Sequence, residues 1–499
     1  MNHRSPPVRN SLIAMVGCVV AAAGCGNGAA VATTGNGGAK GDAGVSSGGA
    51  TSSGANTGGH PEGGGGAGGA GFGGTAIAGS GVGGAASHGG AAGDAPGGAG
   101  GALALPPGDS YRQFGGERSD EVRAVAVDAS ENLYVAGFTQ AVLSGTTLAG
   151  TFDIFVRKYD AAGTVLWTLQ WGRRGYNNFG SLAVEPGGDF YVSGSYVEFA
   201  SSGPDKTTYF LNKYDPAGKV LWSKEVPWSA AVIRLDAANN LYAAGAVAGA
   251  TSGSTTGALY VRKYDPSATE QWTARYGLPL IESVADLGVD GAGNVFVAGA
   301  TQGTVEDPNT GKNAGRLYKF DGKGAAVWDR MFTTVEGTLV SSVAVLATGE
   351  AYVTGYTYGA LVSTNLGAND AFLRKYDAAG NAIWTRQFGT PLGDVAWAVR
   401  ADAAGSAYVT GTTEGAVETG TDGGNGGKTS HPSAGYLRKY ASDGTVVWTK
   451  QCPTTAVSTL YSLAVAASGN LYAGGYAYGA IAGVAGGQDD ALVAKFSVP

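Results

Sequence analysis

From about residue 110 to its end, the chain is written in short apolar runs of four to six residues, β-branched or aromatic, each closed by turn residues. One run reads "LYVAG", "FYVSG", "LYAAG", "VFVAG", "AYVTG", "AYVTG" and "LYAGG", ending at Gly137, Gly194, Gly245, Gly299, Gly355, Gly411 and Gly475. Before each of these stands a second run, from "AVAVD" in the first copy to "SLAVA" in the last. After each stands a third, which ends on Lys158, Lys213, Lys263, Lys319, Lys375, Lys439 or Lys495 followed by Tyr or Phe. In six copies a Trp lies nine residues beyond the Lys: Trp167, Trp222, Trp272, Trp328, Trp384 and Trp448. No stretch sustains a helical period. The links are hairpin chemistry, such as "DASEN" (Asp128 to Asn132) and D-x-x-G (Asp377 to Gly380), where Asp caps the turn and Gly takes positive φ.

Each repeat of about 56 residues therefore predicts four short strands, and there are seven repeats. Repeats of this length in β code mean a ring or an array of sheets. The ends decide between them. The seventh copy stops at "KFSVP" before any Trp strand, while "SYRQFGG" (Ser110 to Gly116) copies "WTRQFGT" (Trp384 to Thr390) at the other end. An N-terminal strand that completes the last blade closes the ring and removes its open edges. The predicted fold class is all-β, a seven-bladed β-propeller of four-stranded blades.

Composition then divides the chain of 499 residues. It holds 88 glycines, crowded between Gly26 and Gly108 among Ala and Ser. That segment has little to bury, so it reads as a flexible tether, reaching roughly 50 Å as a random chain. Ahead of it, Arg4 and Arg9 precede an apolar run, "LIAMVGCVVAAA" (Leu12 to Ala23), too short to span a bilayer and of signal-peptide length. The expected organisation is a signal at 1–24, a tether at 25–108 and the propeller at 109–499. A net charge of −7 gives no basic footprint for nucleic acid. Of three cysteines, Cys18 falls within the signal, and Cys25 and Cys452 have no evident disulfide partner.

Three resemblances follow from these residues. "AAAGC", ending at Cys25, resembles the lipobox of bacterial lipoproteins, although Ala22 stands where Leu is commonest. It implies lipid attachment at Cys25 and a membrane partner. The "LYVAG" and "KYDxxGxxxWT" motifs, over about 110–499, resemble the bacterial seven-bladed β-propeller repeat family known as SBBP, of exported and cell-surface proteins. That family carries over an architecture and no catalytic residues. "DPAGKVLW" (Asp215 to Trp222) is similar to the tryptophan-docking repeats of quinoprotein-type propellers, but those typically have eight blades.

Residues that recur in every blade mark what every blade needs. The Trp residues are expected to pack between blades, and the Lys residues to pair with acids or lie on a solvated face. Cys452 occupies the slot filled elsewhere by Trp171, Val226, Tyr276, Phe332 and Phe388, so it is expected to be a small buried hydrophobe. His431 lies in a polar, Gly-rich insertion with no paired base or carboxylate, and His60 and His88 lie in the tether. "DGGNGGKTS" (Asp422 to Ser430) lacks the first Gly and the strand–helix context of a phosphate loop. "DPNTGKN" (Asp307 to Asn313) lacks the D-x-D-x-D-G series of a calcium loop. No cofactor or metal motif is found.

Function must then sit where the copies differ. The gap from the "VAG" glycine to the next Lys ranges from 18 residues (Gly245 to Lys263) to 28 (Gly411 to Lys439). These loops, and those leaving the Trp strand, are expected on one face. That face collects Tyr176, Phe179, Trp228, Tyr356, Tyr358, Trp397, Tyr476 and Tyr478. Of these, Tyr356, Tyr358, Trp397, Tyr476 and Tyr478 are the candidate binding residues. The expectation is a monomeric surface lipoprotein of the envelope, exported and lipid-anchored, whose propeller binds protein or polysaccharide without catalysis. The alternatives are a hydrolase or lyase with unique carboxylates at the central channel, Asp286, Glu282 or Asp394 among them, and a purely structural envelope protein.

Overall fold

A computed structural model describes residues 109–498, apart from 146, 201–204, 247–256, 279–281, 303–311, 363, 418–432, 454–455 and 482–486. The signal, Cys25, the tether with His60 and His88, His431, the Asp422 to Ser430 stretch and most of the Asp307 to Asn313 stretch lie outside the described residues.

Seven four-stranded antiparallel sheets stand in sequence order. Blade 1 holds strand A (Asp120–Val127), B (Leu133–Thr139), C (Asp153–Tyr159) and D (Val165–Trp171). The A strands of blades 2 to 7 are Tyr176–Val184, Val232–Leu235, Glu282–Val289, Thr338–Val345, Asp394–Ala401 and Val457–Val465. Each A strand packs against the A strands of both neighbouring blades, and blade 7 meets blade 1, so the seven form a closed ring around a central channel. Blade 7 takes its D strand from the other end of the chain. Ser110–Phe114 pairs antiparallel with Asp490–Phe496, with Ser110 opposite Lys495 as Trp384 is opposite Lys375. Asp109 fastens the joint, accepting from Lys450 Nζ at 2.6 Å and from the Ser497 amide at 3.0 Å.

The repeated motifs explain the joints between blades. In the C–D turn, Asp377 Oδ1 accepts from the amides of Ala379 (2.9 Å) and Asn381 (2.8 Å). Gly380 takes φ +82° there, and a Cβ on it would lie 2.9 Å from the Trp328 ring of the preceding blade. The turn glycine thus serves the hairpin and seats the neighbour's indole. A single carbonyl of that turn receives two donors from the blade before it. Pro216 O accepts from Lys158 Nζ and Trp167 Nε1, each at 3.2 Å, and Ser442 O from Lys375 Nζ (3.4 Å) and Trp384 Nε1 (3.2 Å).

Of the two uses expected for the Lys residues, the structure shows the pairing with acids. Lys158, Lys213, Lys319 and Lys375 are buried, with no solvated face. Their ammonium groups lie over the aromatic of strand B, 4.8 Å from the Tyr134 centroid for Lys158, and near a carboxylate, 2.8 Å from Glu185 for Lys213. The apolar stem and the charged tip are satisfied by different neighbours. The Trp rings are half-buried and bridge blades, Trp167 stacking 5.6 Å from Phe190 of blade 2. Cys452 is buried as expected, and burial pushes its thiol up to about 12.

The "VAG" glycine has its own cause. Six A strands carry a one-residue bulge opposite it, at Arg123, Gly180, Ala285, Ser341, Trp397 and Tyr461. The bulge drives a carbonyl across the B strand: a Cβ on Gly137 would lie 1.9 Å from Glu121 O, and on Gly475 1.7 Å from Thr459 O. Only a residue without Cβ fits there.

Candidate functional site

A bulge re-aims the side chain it carries. Six bulge residues, with Ala231 of blade 3 in the equivalent position opposite Gly245, ring the mouth of the channel on the face of the long B–C loops. In blades 2 to 5 they are small: Gly180, Ala231, Ala285 and Ser341. In blades 6, 7 and 1 they are Trp397, Tyr461 and Arg123. The residue after the "VAG" glycine is small in blades 2 to 4 as well, but bulky in blade 5 and small in blade 6. It is Tyr356, Tyr476 and Phe138 in blades 5, 7 and 1, Thr412 in blade 6, and Ser195, Ala246 and Ala300 in blades 2 to 4.

These side chains form one connected arc. Tyr358 meets Tyr356 (centroids 5.7 Å), Tyr356 meets Trp397 (6.3 Å), Trp397 meets Tyr461 (5.5 Å), and Tyr461 meets Tyr476 (5.9 Å). The Arg123 guanidinium then bridges two blades, 4.3 Å from the Tyr461 centroid and 5.3 Å from that of Phe138. From Phe138 the arc runs to Phe152 (5.2 Å), Tyr176 (6.2 Å) and Phe199 (4.9 Å) in blade 2. Every ring in it is half-buried or exposed. Trp397 Nε1 donates to Thr412 Oγ1 at 3.2 Å, which fixes the indole. Burial raises the Tyr356 and Tyr461 phenols, so both stay neutral at physiological pH. Glu121, 3.1 Å from Arg123 Nε, is also raised by burial, with Arg123 opposing.

Beside Tyr358 the arc opens on a cleft of about 850 Å³, lined by Lys312, Thr334, Val335, Glu336 and Asn365 among others. The outer strand holds the loops in place. Gln387 Oε1 accepts from the Leu361 amide at 2.8 Å in the loop after Tyr358, and Gln113 Oε1 from the Ile481 amide at 2.7 Å in the loop after Tyr478.

Four of the five candidate residues from sequence, Tyr356, Tyr358, Trp397 and Tyr476, thus come together. Tyr478 is 57% exposed and has no ring contact among the described residues. Two other aromatics expected on this face do not belong to it. Trp228 is 5% exposed, under Arg262 at 5.0 Å, and Phe179 packs against the core between blades 1 and 2. Both occupy inward-facing positions where the blade needs apolar bulk. Tyr461, Arg123, Phe138, Phe152 and Phe199 escaped the sequence reading. Aligning the copies on the "VAG" glycine would have exposed the first three, because their columns are small in the other half of the ring.

No family model and no curated protein matches the chain. Solved structures match the chain at low identity. A protein of unknown function from Bacteroides caccae is 13% identical, with a TM-score of 0.36, over 60% of this chain and 89% of that one. The Pan2 WD40 domain of Neurospora crassa is 10% identical, with a TM-score of 0.41, over 80% and 98%. The polysaccharide lyase Uly1 is 11% identical, with a TM-score of 0.46, over 77% and 92%.

The carboxylates considered for channel chemistry separate. Asp394 does not reach the channel: it is 1% exposed, at the start of its strand, beneath Thr390 and facing Asp370. Burial pushes it up to about 6, with Asp370 adding to the rise. Glu282 opens the A strand of blade 4. Asp286 does lie at the channel, but both oxygens are spent. Oδ1 accepts from Arg234 and the Leu287 amide, and Oδ2 from Ser342 Oγ at 2.6 Å and the Val343 amide at 3.3 Å. A carboxylate so held is a poor general base. Among the described residues no three His, Cys, Asp or Glu are placed to hold a metal.

Proposed function

We propose that this protein is an exported, lipid-anchored binding module of the SBBP type, and that its propeller takes polysaccharide at the channel mouth. The observation that carries the reading is the one-sided arc from Tyr358 to Phe199. Sugar rings present flat C–H faces that pack on aromatic faces, and hydroxyls that suit a polar rim such as Thr412, Asn365 and Glu336. The small residues of blades 2 to 4 leave room opposite the arc. The adjoining cleft lengthens the surface beyond one sugar, which suits a polymer.

The test is a printed array of neutral and acidic glycans probed with the purified chain, followed by titration of any glycan retained. Trp397→Ala and Tyr461→Ala are expected to weaken binding by about 30-fold each, the size of a buried aromatic anchor of about 2 kcal/mol. Retention of no glycan by a folded chain, or full affinity in both variants, would sink the reading. The anchor has a separate test. Cys25→Ala is expected to release the chain from membranes, and unchanged membrane association would remove that part of the proposal.

A further inference from the structure

Farther along the same A strands, toward the tight A–B turns, lies a second set of groups that the mouth does not use. Three residues beyond the bulge, about 10 Å at the rise of a strand, the seven equivalent positions are Ala126, Ala183, Arg234, Gly288, Ala344, Arg400 and Ala464. Five are small and two are arginine. Both guanidiniums turn toward Asp286 of blade 4. Arg234 Nη2 donates to Oδ1, and Arg400 Nη1 lies 3.6 Å from Oδ2. Arg234 Nη1 also gives to Ile233 O (2.8 Å) and Ser181 Oγ (3.3 Å), and Arg400 Nη1 to Val399 O (2.7 Å) and Ser342 Oγ (3.4 Å).

The ledger of charge and donors does not close. Two guanidiniums face one carboxylate, so the cluster carries a net charge of +1. Each guanidinium has five N–H donors. Arg400 Nη2 and Nε, and Arg234 Nε, have no acceptor among the described residues. The Asp286 oxygens are already taken. The two side chains keep 27% and 29% exposure, so the cluster is open to solvent. Burial, and after it the charge of Arg234, pull Arg400 down to about 10, which still leaves it protonated at neutral pH. A negative charge set between the two would relieve that repulsion.

We propose that Arg234 and Arg400 form an oxyanion-binding site inside the channel, distinct from the aromatic mouth, which takes a sulfate-, phosphate- or carboxylate-bearing ligand. Planar forks carrying several donors match such oxygens in two-point contact, and they do so best where water is restricted. Asp286 and Ser342 act as positioning residues: they hold the forks in place and leave the outer N–H groups free. The ligand's source is either a free small anion or an acidic group borne on a glycan.

The experiment is calorimetric titration of the full chain with sodium sulfate and with sodium glucuronate, at an ionic strength held constant with chloride. Saturable binding of one or both is expected, weakened at least tenfold in Arg400→Met and partly kept in Arg400→Lys, which retains charge and loses the fork. Trp397→Ala is expected to bind sulfate as the parent does. Glucuronate binding much tighter than sulfate assigns the site to an acidic sugar, and the reverse order to a free anion. Crystals soaked in selenate provide a second readout that needs no variant, with anomalous density expected between Arg234 and Arg400. No saturable binding of either anion, or equal binding by Arg400→Met, would overturn the proposal. So would selenate density elsewhere and none at this pair.

Discussion

Asp394→Asn tests whether the buried carboxyl pairs at the blade joints cost stability at neutral pH. Asp394 opens the A strand of blade 6 and faces Asp370 of blade 5. Oδ1 of each is buried with no hydrogen-bond partner. Burial lifts Asp394 from 3.8 to about 6, and Asp370 is raised as well. The folded form therefore holds its proton more tightly than the unfolded chain. Stability from this group is complete below pH ~4 and is lost as pH rises through about 6. At 1.36 kcal/mol per pH unit the loss by pH 7 is about 3 kcal/mol. Blade 2 already carries the remedy. Asn177 stands where Asp394 does, accepts from the Arg173 amide at 2.8 Å as Asp394 accepts from Thr390 at 2.6 Å, and turns Nδ2 toward Asp153 Oδ1 at 3.5 Å. An amide at 394 keeps the Thr390 bonds and offers a donor to Asp370. Urea titrations of the full chain at pH 4.5, 6 and 7.5 should show the variant gaining on the parent as pH rises, by about 2 kcal/mol between pH 4.5 and 7.5, the first ~1 kcal/mol of the loss falling below pH 4.5. Asp120, also lifted to about 6 at the joint of blades 7 and 1, should leave a residual slope that Asp120→Asn removes additively. Parallel pH curves for parent and Asp394→Asn would refute the reasoning.

Two further outcomes follow from packing. Gly475→Ala places a methyl 1.7 Å from Thr459 O and should cost about 3 kcal/mol or more, whereas Gly187→Ala meets nothing within 4 Å and should change the urea midpoint little; equal effects would reject the bulge explanation of the "VAG" glycine. Cys452, buried and pushed up to about 12, should resist iodoacetamide at pH 8 until the chain unfolds, as read by mass spectrometry of its own peptide; rapid native labelling would contradict the burial.

The architecture was legible because it is written seven times. Strand length, hairpin signals and the split last blade each follow from local chemistry, and repetition removes the ambiguity of any one copy. The "YRQF" of the first strand and the "TRQF" of the fifth blade occupy matching registers, as their likeness implies. What stayed hidden depends on the bulge. An A strand read at period two puts Arg123 and Tyr461 on a blade face. One inserted residue sends them instead to the channel mouth, and alternation alone does not reveal such a slip. The acid pairs of the Lys residues were legible, but not the carbonyl of the next blade that also replaces their solvation, a partner about 60 residues distant that no local pattern contains. Asp286 was named for the channel, but its partners Arg234 and Arg400 were not, because they belong to other blades and stand two positions farther along their strands.

A seven-fold ring built from near-copies has a null expectation of seven-fold sameness, and the departures are ordered. Columns that make joints, such as the turn Asp and Gly and the strand B aromatic, change little from blade to blade. The two columns that face the channel change most, and in different ways. At the mouth, bulk in the bulge column and in the column after the "VAG" glycine gathers in contiguous blades, 5 through 1, and is absent from 2 to 4. Deeper in, the two arginines stand three blades apart and converge on one carboxylate between them. Stability selects neither arrangement: small residues close the channel well enough in the other blades, and a third partner for one carboxylate adds desolvation cost without a matching bond. Asymmetry imposed on a symmetric frame, confined to the solvent-facing axis, is what a directional ligand requires. A chain laid across the mouth would meet rings on one side and open space on the other, with fixed positive charge below.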